Sequence, residues 1–592
     1  MENIETLYGE KTDSMNPLPE HPNPYFERDS FLSLNGPWGF NLSQEPSLNV
    51  VYEKEIIVPY SVETRLSGIN AKVSASDYMH YKKAVEIPSD KRDSVAHLVF
   101  SAIDQHATIY VDGEKLGESD FGYIPFELYF PINGREKITI EVIAHDDTDS
   151  PIYARGKQSN NPGGVWYHPT SGIWGSVYLE FLSSKGYIEH IDVSADYDSK
   201  IVSFSLKTQG ESLKTKVDVF FDDKKIKEIE FDDSSDLRID MSDVFHSWNA
   251  KNPNLYHYEM HYGEDLVKGA FAFRKIERRK IGDAQMLFVN GEPTFLSALL
   301  DQGYYPESGL TPPSIEAMEN DIKVAKEMGF NALRKHIKIE PMRWYYLCDS
   351  LGMYVIQDFV SGGSKYSAPW IGAIPFCFHF AKINDSHPKR LGRHLKESRD
   401  HFEEEMSRTY EHLKNIPSIV AWTLFNEGWG QFETVRLTEK LRSWNDGRLI
   451  DSSSGWYDKK VGDFSSYHIY WKPLKMKKDK NRILSLSEFG GYAMPIEGHM
   501  DADKKFGYGK YHKDKEELNS VIGRAYEAAR KLIKEKGLSV SVYTQLTDVE
   551  GEINGLMSYD RKIIKGDAKT LMEINESLYE EYRDLFKNLS NK

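Results

Sequence analysis

The chain has 592 residues, of which 40% are apolar and 28% are charged, and its formal net charge is -17. This length exceeds what one hydrophobic core supports and predicts about three to five structural units, one of which could be a large barrel. The acidic balance disfavours nucleic acid and anionic membrane as partners, since both bind basic surfaces. Because no apolar run approaches the roughly 20 residues of a membrane span, and the first residues lack a secretory signal pattern, we expect a cytoplasmic protein.

The two cysteines, Cys348 and Cys377, each lie in an apolar sequence context. We predict two free, buried thiols, because structural disulfides are rare in reducing compartments. The sequence also shows no compact group of His, Cys, Asp and Glu at metal-ligand spacing. We therefore expect neither a metal ion nor another cofactor.

The first part of the chain predicts two β-sheet domains. Between about Phe31 and Phe181 short β-type segments alternate with turn residues at intervals of roughly 8 to 12, which favours an antiparallel sandwich or jelly roll. A second β-rich block follows from about Gly186 to Arg274 and has the size of an immunoglobulin-like sandwich.

Near residue 280 helical and strand periodicities begin to alternate. A helix is predicted from Pro313, with Gly329 at its end, and its apolar face comprises Ile315, Met318, Ile322, Ala325 and Met328. Eight candidate strands follow one another between residue 295 and the segment V-S-V-Y-T-Q-L, which is the pattern of a (β/α)8 barrel. The predicted multidomain chain thus has a jelly roll (1–184), an immunoglobulin-like β-sandwich (185–276) and a TIM barrel (277–592).

Two glutamates occupy the strand ends at which barrel enzymes carry out chemistry. The fourth strand ends in L-F-N-E-G-W-G, which contains Glu427, and the seventh ends in L-S-E-F-G-G, which contains Glu488. Such a pair can protonate a glycosidic oxygen while an opposing carboxylate attacks the anomeric carbon. Either glutamate alone would carry little information among the 91 acidic residues, but the pair predicts a glycosidase.

At this point the chain resembles glycoside hydrolase family 2, the family of β-galactosidase, β-glucuronidase and β-mannosidase. The opening of the family's sugar-binding jelly roll is similar to L-N-G-P-W-G-F (34–40), and its close is similar to P-T-S-G-I-W-G-S-V-Y-L-E (169–180). The last strand region of the family's immunoglobulin-like domain is similar to W-N-A-K-N-P-N-L-Y (248–256), and its barrel entry is similar to F-V-N-G-E-P (288–293).

The resemblance implies a retaining mechanism with Glu427 as the acid/base and Glu488 as the nucleophile. It implies that Asn426 hydrogen-bonds the sugar 2-hydroxyl and that Tyr470 contacts the nucleophile. We expect the pKa of Glu427 to be raised by a carboxylate at close range. His336 and His468, on the second and sixth strands, are additional candidates for sugar binding, although a lone strand histidine is more often structural.

The specificity motifs of the best-known family members are absent. Glucuronidases carry Asn-x-Lys where this chain has Glu552, Ile553 and Asn554, and an acid there would repel a glucuronate. Galactosidases and glucuronidases place a sugar-binding Asp where this chain has Trp166. Our hypothesis is that Asp301, together with Asp358, replaces this acid in binding sugar hydroxyls.

Trp166 would then form an apolar wall. The sequence therefore predicts an exo-β-glycosidase for a carbohydrate substrate, with galactoside ahead of arabinoside, mannoside, glucuronide and fucoside. A transglycosidase remains an alternative because it uses the same two carboxylates, as does a non-catalytic carbohydrate-binding protein. Oligomeric state stays open, with a homo-oligomer among the expectations.

Overall fold

The computed structural model describes residues 4–231, 237–377, 383–386, 388–501 and 504–591, apart from the side chains of residues 373, 376 and 377. Within these residues no helix is both long and apolar enough to cross a membrane. Cys348 is buried and free, whereas the side chain of Cys377 lies outside the described part of the chain.

The first unit contains two antiparallel sheets that enclose one buried apolar cluster. The four-stranded sheet has the order Phe31–Ser33, Val177–Leu182, Val95–Phe100, Phe126–Pro131. The six-stranded sheet has the order Lys54–Val58, Gly36–Ser43, Tyr78–Glu86, Lys137–His145, His106–Val111, Glu114–Ser119. A short pair, Ile103–Asp104 with Gly172–Ile173, completes the unit. Burial alternates along the strand His106–Val111, which reflects the period of two of a β-strand.

The second unit also has two antiparallel sheets around a shared core. Three strands form one sheet: Gly186–Asp196, Ile201–Gly210, Leu237–Asp240. Four strands form the other, in the order Lys224–Phe231, Thr215–Phe221, Tyr256–Tyr262, Asp265–Phe271. Arg28 joins the two units, because its Nε lies 2.8 Å from Asp265 Oδ1 and its Nη1 lies 2.8 Å from Glu180 Oε2.

The third unit is a TIM barrel, and all eight predicted strands are present. The strands are β1 (Leu296–Asp301), β2 (Ala332–Lys335), β3 (Tyr354–Asp358), β4 (Ile419–Thr423), β5 (Leu449–Asp451), β6 (Phe464–Tyr470), β7 (Ile483–Gly490) and β8 (Leu538–Thr544). They form one parallel sheet in the order β5-β4-β3-β2-β1-β8-β7-β6. A small sheet of Ile276–Ile281, Ala284–Val289 and Glu292–Pro293 precedes β1 and contributes Ile276, Leu287 and Val289 to the core inside the barrel.

Helices alternate with the barrel strands and cover their outer faces. They comprise Ile315–Glu327, Met342–Leu351, Ile374–Cys377, Lys396–Leu413, Thr434–Ser443, Lys515–Lys536 and Ala568–Ser590, with short 3-10 or π turns at Gly9–Lys11, Ser89–Lys91, Ser242–Val244, Pro369–Ala373 and Pro388–Leu391. The helix predicted from Pro313 begins after Ser314, whose side chain accepts a hydrogen bond from Ala317 N, and Gly329 follows its end with φ 82°.

Candidate active site

Glu427 lies just beyond the carboxyl end of β4. Its backbone N–H donates to Ser454 O at 2.9 Å, and Asn426 and Ser454 form an isolated parallel β-bridge. Backbone hydrogen bonding therefore connects the segments that follow β4 and β5. Glu427 has a left-handed backbone with φ 49°, a strained conformation of the kind that clusters at functional sites. The residue is 8% exposed.

Glu488 lies within β7 and is 3% exposed. Its Oε1 accepts a hydrogen bond from Arg334 Nη1 at 3.1 Å, and its Oε2 accepts one from the Tyr470 hydroxyl. The Tyr470 ring stacks on Tyr508 with centroids 3.7 Å apart. The donors around Glu488 therefore favour its ionised form, which is what the resemblance implied for Tyr470.

The two glutamates approach each other through His468. One carboxylate oxygen from each glutamate and a ring nitrogen of His468 all lie within 4.8 Å of one another. His468 Nδ1 lies 2.8 Å from Glu427 Oε1, and its Nε2 lies 2.9 Å from Ser454 Oγ and 3.6 Å from Glu488 Oε1. Protein groups thus lie at both ring nitrogens and place His468 between the glutamates, while its binding of the sugar stays a prediction.

The environments of the two carboxyls shift their pKa values upward. Burial raises the pKa of Glu427 to about 7, against the lowering effect of Lys157 and Arg334, and the charge of Glu552 adds to the increase. The predicted direction is therefore observed, but burial is the main cause and the contributing acid is Glu552. Burial also raises the pKa of Glu488, against the lowering effects of His468, Arg334 and the Tyr470 hydroxyl.

Arg334, at the end of β2, connects these groups and was missed in the sequence. Its Nε and Nη2 form a bidentate pair with Asp358 at 3.0 and 2.9 Å. Its Nη1 donates to Glu488 Oε1, as above, and also to Ser487 O at 3.1 Å, while Nη2 donates to Asn426 Oδ1 at 2.9 Å. The side chain is 1% exposed. An arginine in the strand motif L-R-K-H, facing the interior of a barrel, is the signal that could have identified it.

The contacts of Asp301 place it away from the site, against the prediction that it binds sugar hydroxyls, whereas for Asp358 that prediction stays open. Both oxygens of Asp358 accept from Arg334, so this buried acid is the counter-ion of the guanidinium. Asp301 Oδ2 lies 2.6 Å from Lys335 Nζ, and Asp301 Oδ1 accepts from Gly303 N at 3.0 Å. Asp301 is 3% exposed.

The period of two along β1 explains why Asp301 misses the site. Leu296, Ala298 and Leu300 belong to the core inside the barrel, whereas Leu299 packs with the surrounding helices. Asp301 continues the outward-facing series, and the next inward residue is Gln302. The structure thus places Gln302 at the barrel mouth.

A chain of amides runs from Glu552 to His336. Glu552 Oε1 accepts from Asn554 Nδ2 at 3.1 Å, and Asn554 Oδ1 accepts from Gln545 Nε2 at 2.8 Å. Gln545 Oε1 accepts from Gln302 Nε2 at 2.9 Å, and Gln302 Oε1 lies 2.9 Å from His336 Nδ1. Because a carboxylate accepts at one end, the direction of every bond is set, and His336 carries its proton on Nδ1.

His336 therefore presents an accepting Nε2 to the site. This atom is buried without a hydrogen-bond partner among the described residues and lies 3.8 Å from Glu488 Oε1. Burial lowers the pKa of His336 well below its usual value, helped by the positive charges of Lys157 and Arg334. The ring is thus neutral, and Nε2 can accept a hydrogen bond from a sugar hydroxyl.

Asn426 and two tryptophans supply further groups that face the glutamates. Asn426 Nδ2 is buried and makes no hydrogen bond of good geometry among the described residues, and the Asn426 side chain lies near His336. Trp429, which the sequence analysis missed, packs 4.9 Å from Trp166 and 6.2 Å from His336 between ring centroids. Trp166 is half-buried and comes from the first unit, so an apolar surface at the barrel mouth is shared between two units.

In the part of the chain that the structure describes, two groups of side chains have the composition of a metal site, although the sequence predicted none. One is Glu427, His468 and Glu488. Arg334 donates to Glu488, so its guanidinium would repel a cation bound there. The hydrogen bond between His468 and Glu427 accounts for the short distances within this group. In the other group Asp218, Glu259 and His261 lie on the second unit, where Asp218 already pairs with lysines. Neither group therefore implies a metal.

The chain is similar to known glycoside hydrolases. The model of the family "Glycosyl hydrolases family 2, TIM barrel domain" matches residues 283–488. A β-glucuronidase of Streptococcus agalactiae is 24% identical over 422 residues, covering 67% of this chain and just under two thirds, 66%, of that protein. A β-galactosidase large subunit of Lactobacillus acidophilus is 22% identical over 522 residues, covering 76% of this chain and 78% of that protein.

The fold is also similar to solved structures. A family 2 β-galacturonidase of Eisenbergiella tayi superposes with a TM-score of 0.67 at 16% identity, covering 95% of this chain and 97% of that chain. At this identity the likeness concerns the fold alone. The sequence matches are more specific than the fold, and the family match ends at Glu488 itself. The barrel segment 283–488 thus matches the model of glycoside hydrolase family 2, as the sequence motifs led us to expect.

Proposed function

We propose that this protein is a retaining exo-β-glycosidase in which Glu427 is the acid/base and Glu488 the nucleophile. The observation that carries the proposal is the approach of the two carboxylates, with oxygens within 4.8 Å. Retaining enzymes hold their carboxyl groups about 5 to 5.5 Å apart, whereas inverting enzymes hold them about 6.5 to 9.5 Å apart. The burial of both glutamates supports action on a single terminal sugar.

In the first step Glu427, protonated near neutral pH, transfers its proton to the glycosidic oxygen as that bond to the anomeric carbon breaks. A Glu488 oxygen attacks the same carbon and forms a glycosyl ester. Arg334 and Tyr470 hold the Glu488 carboxylate in place before the attack. In the second step Glu427, now ionised, takes a proton from water, which attacks the anomeric carbon and releases Glu488.

The remaining groups bind the sugar. Asn426 Nδ2 is the donor for the 2-hydroxyl, a contact that strengthens in the transition state. His336 Nε2 accepts from another hydroxyl, and the surface of Trp166 and Trp429 packs against the apolar face of the ring.

We propose a neutral sugar, with β-galactoside as the first substrate to test. Relatives of this chain bear the names β-galactosidase and β-glucuronidase. The acid Glu552 stands where glucuronidases carry Asn-x-Lys, and it is 2% exposed beside the site. A buried carboxylate there would repel the carboxylate of a uronide.

We further propose the jelly roll at 1–184, the immunoglobulin-like domain at 185–276 and the catalytic barrel at 277–592. The two sheets of each β-rich unit and their separate cores support this division. The first unit would contribute Trp166 to sugar binding.

The test is release of para-nitrophenol from a panel of β-galactoside, α-L-arabinoside, β-mannoside, β-glucuronide and β-fucoside by the wild type, Glu427→Gln and Glu488→Gln. We expect one neutral sugar to be preferred and both variants to lose activity by about 10³-fold or more. NMR of the first product should show the anomeric configuration of the substrate, which is β for the β-glycosides and α for the α-L-arabinoside. Release of the opposite anomer, or full activity in Glu488→Gln, would refute the mechanism.

A further inference from the structure

Lys157 is a buried lysine that reaches the active site from the first unit. It is 4% exposed, and its Nζ lies over the rings of Trp429 and Tyr167, at 5.3 and 5.1 Å from their centroids. In the described residues this Nζ has no hydrogen bond and no carboxylate oxygen within 4.0 Å. An ammonium group has three donors, so all three are available.

The barrel loops fix the position of Lys157. The backbone N–H groups of Arg155 and Gly156 donate to Ser361 O at 2.9 and 3.0 Å. Gly156 has φ 58°, and a Cβ there would lie 2.9 Å from Ile337 O, so the close approach depends on glycine. The loops after β2 and β3 thus hold the backbone that presents Lys157.

Three carboxylates face Lys157 at longer range. Burial lowers its pKa, against the raising effect of Glu552, Glu488 and Glu427 in that order. The side chain is buried as a whole, but Nζ itself is not fully removed from solvent, so its donors face open space in the site. A ligand that enters this space can supply hydrogen-bond partners for the ammonium.

Other unfilled donors point to the same ligand. Trp429 Nε1 and Asn426 Nδ2 are buried and make no hydrogen bond of good geometry among the described residues. Glu552 accepts from Tyr167 Oη at 2.6 Å and from Asn554, yet its carboxylate has further lone pairs. Donors beside an acceptor suit hydroxyl groups, which donate and accept at once.

We propose that Lys157 and Glu552 together bind hydroxyl groups of the substrate sugar, Lys157 as donor and Glu552 as acceptor, and thereby select neutral glycosides. This inference rests on the proposed function and assigns a specificity role to two residues outside the catalytic pair.

The charges around the site favour a neutral ligand over a uronate. The site contains the carboxyl groups of Glu427, Glu488, Glu552 and Asp358, of which Asp358 is already neutralised by Arg334. Lys157 is the remaining cation near the other three in the described part of the chain. A sugar carboxylate would therefore add negative charge to a site that already carries an excess of it.

The experiment compares Lys157→Met with Lys335→Met. Both lysines are buried over a tryptophan ring, since Lys335 Nζ lies 4.3 Å from the Trp344 centroid. Lys335, however, donates to Asp301 at 2.6 Å and Glu340 at 2.7 Å, away from the site. We measure Tm, and by calorimetry the affinity for D-galactose, L-arabinose, D-mannose, D-glucuronate and D-galacturonate, in the wild type and both variants.

Lys157→Met is expected to weaken binding of the preferred neutral sugar by about 10-fold or more, and to lower kcat/KM for its glycoside by about 10²-fold. Its Tm should be unchanged or higher, because the change removes an unpaired buried charge. Lys335→Met should instead lower Tm and leave the affinity unchanged, since it strands the buried Asp301 and leaves Glu340 with Lys338 alone.

Three results would overturn the proposal: wild-type affinity in Lys157→Met, tighter wild-type binding of a uronate than of every neutral sugar, or no binding of any of the sugars. Failure of the proposed catalytic function gives a different result from failure of the proposed sugar-binding role. In that case sugar binding is tight and depends on Lys157, but either no glycoside is turned over or turnover persists in Glu488→Gln.

Discussion

His468 Nδ1 lies 2.8 Å from Glu427 Oε1, and the other ring nitrogen lies 2.9 Å from Ser454 Oγ. This side chain can therefore orient Glu427, the proposed acid/base, without touching the sugar. We predict that His468→Leu lowers kcat by about 10²-fold with little change in KM, because a small displacement of a catalytic group costs about that much. His468→Asn should retain more activity, since its amide replaces Nδ1. An increase in KM alone would instead indicate a sugar ligand.

The pH dependence should follow the two carboxyls. With its pKa raised to about 7, Glu427 stays protonated up to that pH, so kcat/KM should fall as pH rises through about 7. Below the optimum, kcat/KM should fall as Glu488 takes up a proton. Rates across about pH 4 to 9 would check this. In Lys157→Met the alkaline limb should move to higher pH, because the nearby cation no longer favours ionised Glu427.

Arg334 should be intolerant of a conservative change. We predict that Arg334→Lys lowers kcat/KM by about 10²-fold, because a lysine cannot pair bidentately with Asp358 and still reach Glu488 and Asn426. Loss of the bond to Glu488 should raise the pKa of that carboxyl and move the acid limb to higher pH. Unchanged kinetics would show that the guanidinium network does not support catalysis.

The neighbouring residues Asp301 and Gln302, at the end of β1 and just beyond it, should behave differently. Asp301→Asn is expected to lower Tm by several °C, because the charge of Lys335 then rests on Glu340 alone. KM should stay within about twofold of the wild type, as Asp301 faces the helices. Gln302→Ala should lower kcat/KM and change Tm less, since it breaks the chain of amides that sets the proton of His336. Thermal unfolding and steady-state kinetics on both variants check this pair.

Much of the barrel could be predicted because its strands and helices each follow their own hydrophobic period. The strand ends directed attention to Glu427 and Glu488, since parallel strands of a barrel open at one rim. The same periodicity would also have excluded Asp301: Leu296, Ala298 and Leu300 face inward, so position 301 faces outward.

Other parts of the site depend on contacts that no local pattern contains. The role of Arg334 follows from four partners on three different strands or loops. Lys157 lies in the first unit, and its approach to Trp429 requires the packing of one domain on another. His468 is a candidate ligand by its strand position, and only the distances to Glu427 and Ser454 show that protein groups lie at both of its ring nitrogens.

The most direct test of the central claim is to trap the intermediate and locate it. The wild type is incubated with the 2-deoxy-2-fluoro analogue of the preferred glycoside, carrying a dinitrophenyl leaving group, and the digested protein is examined by mass spectrometry. The account predicts one glycosyl ester, on the peptide that contains Glu488, and its absence from Glu488→Gln. An adduct on Glu427, or turnover to the inverted sugar without any adduct, would contradict it.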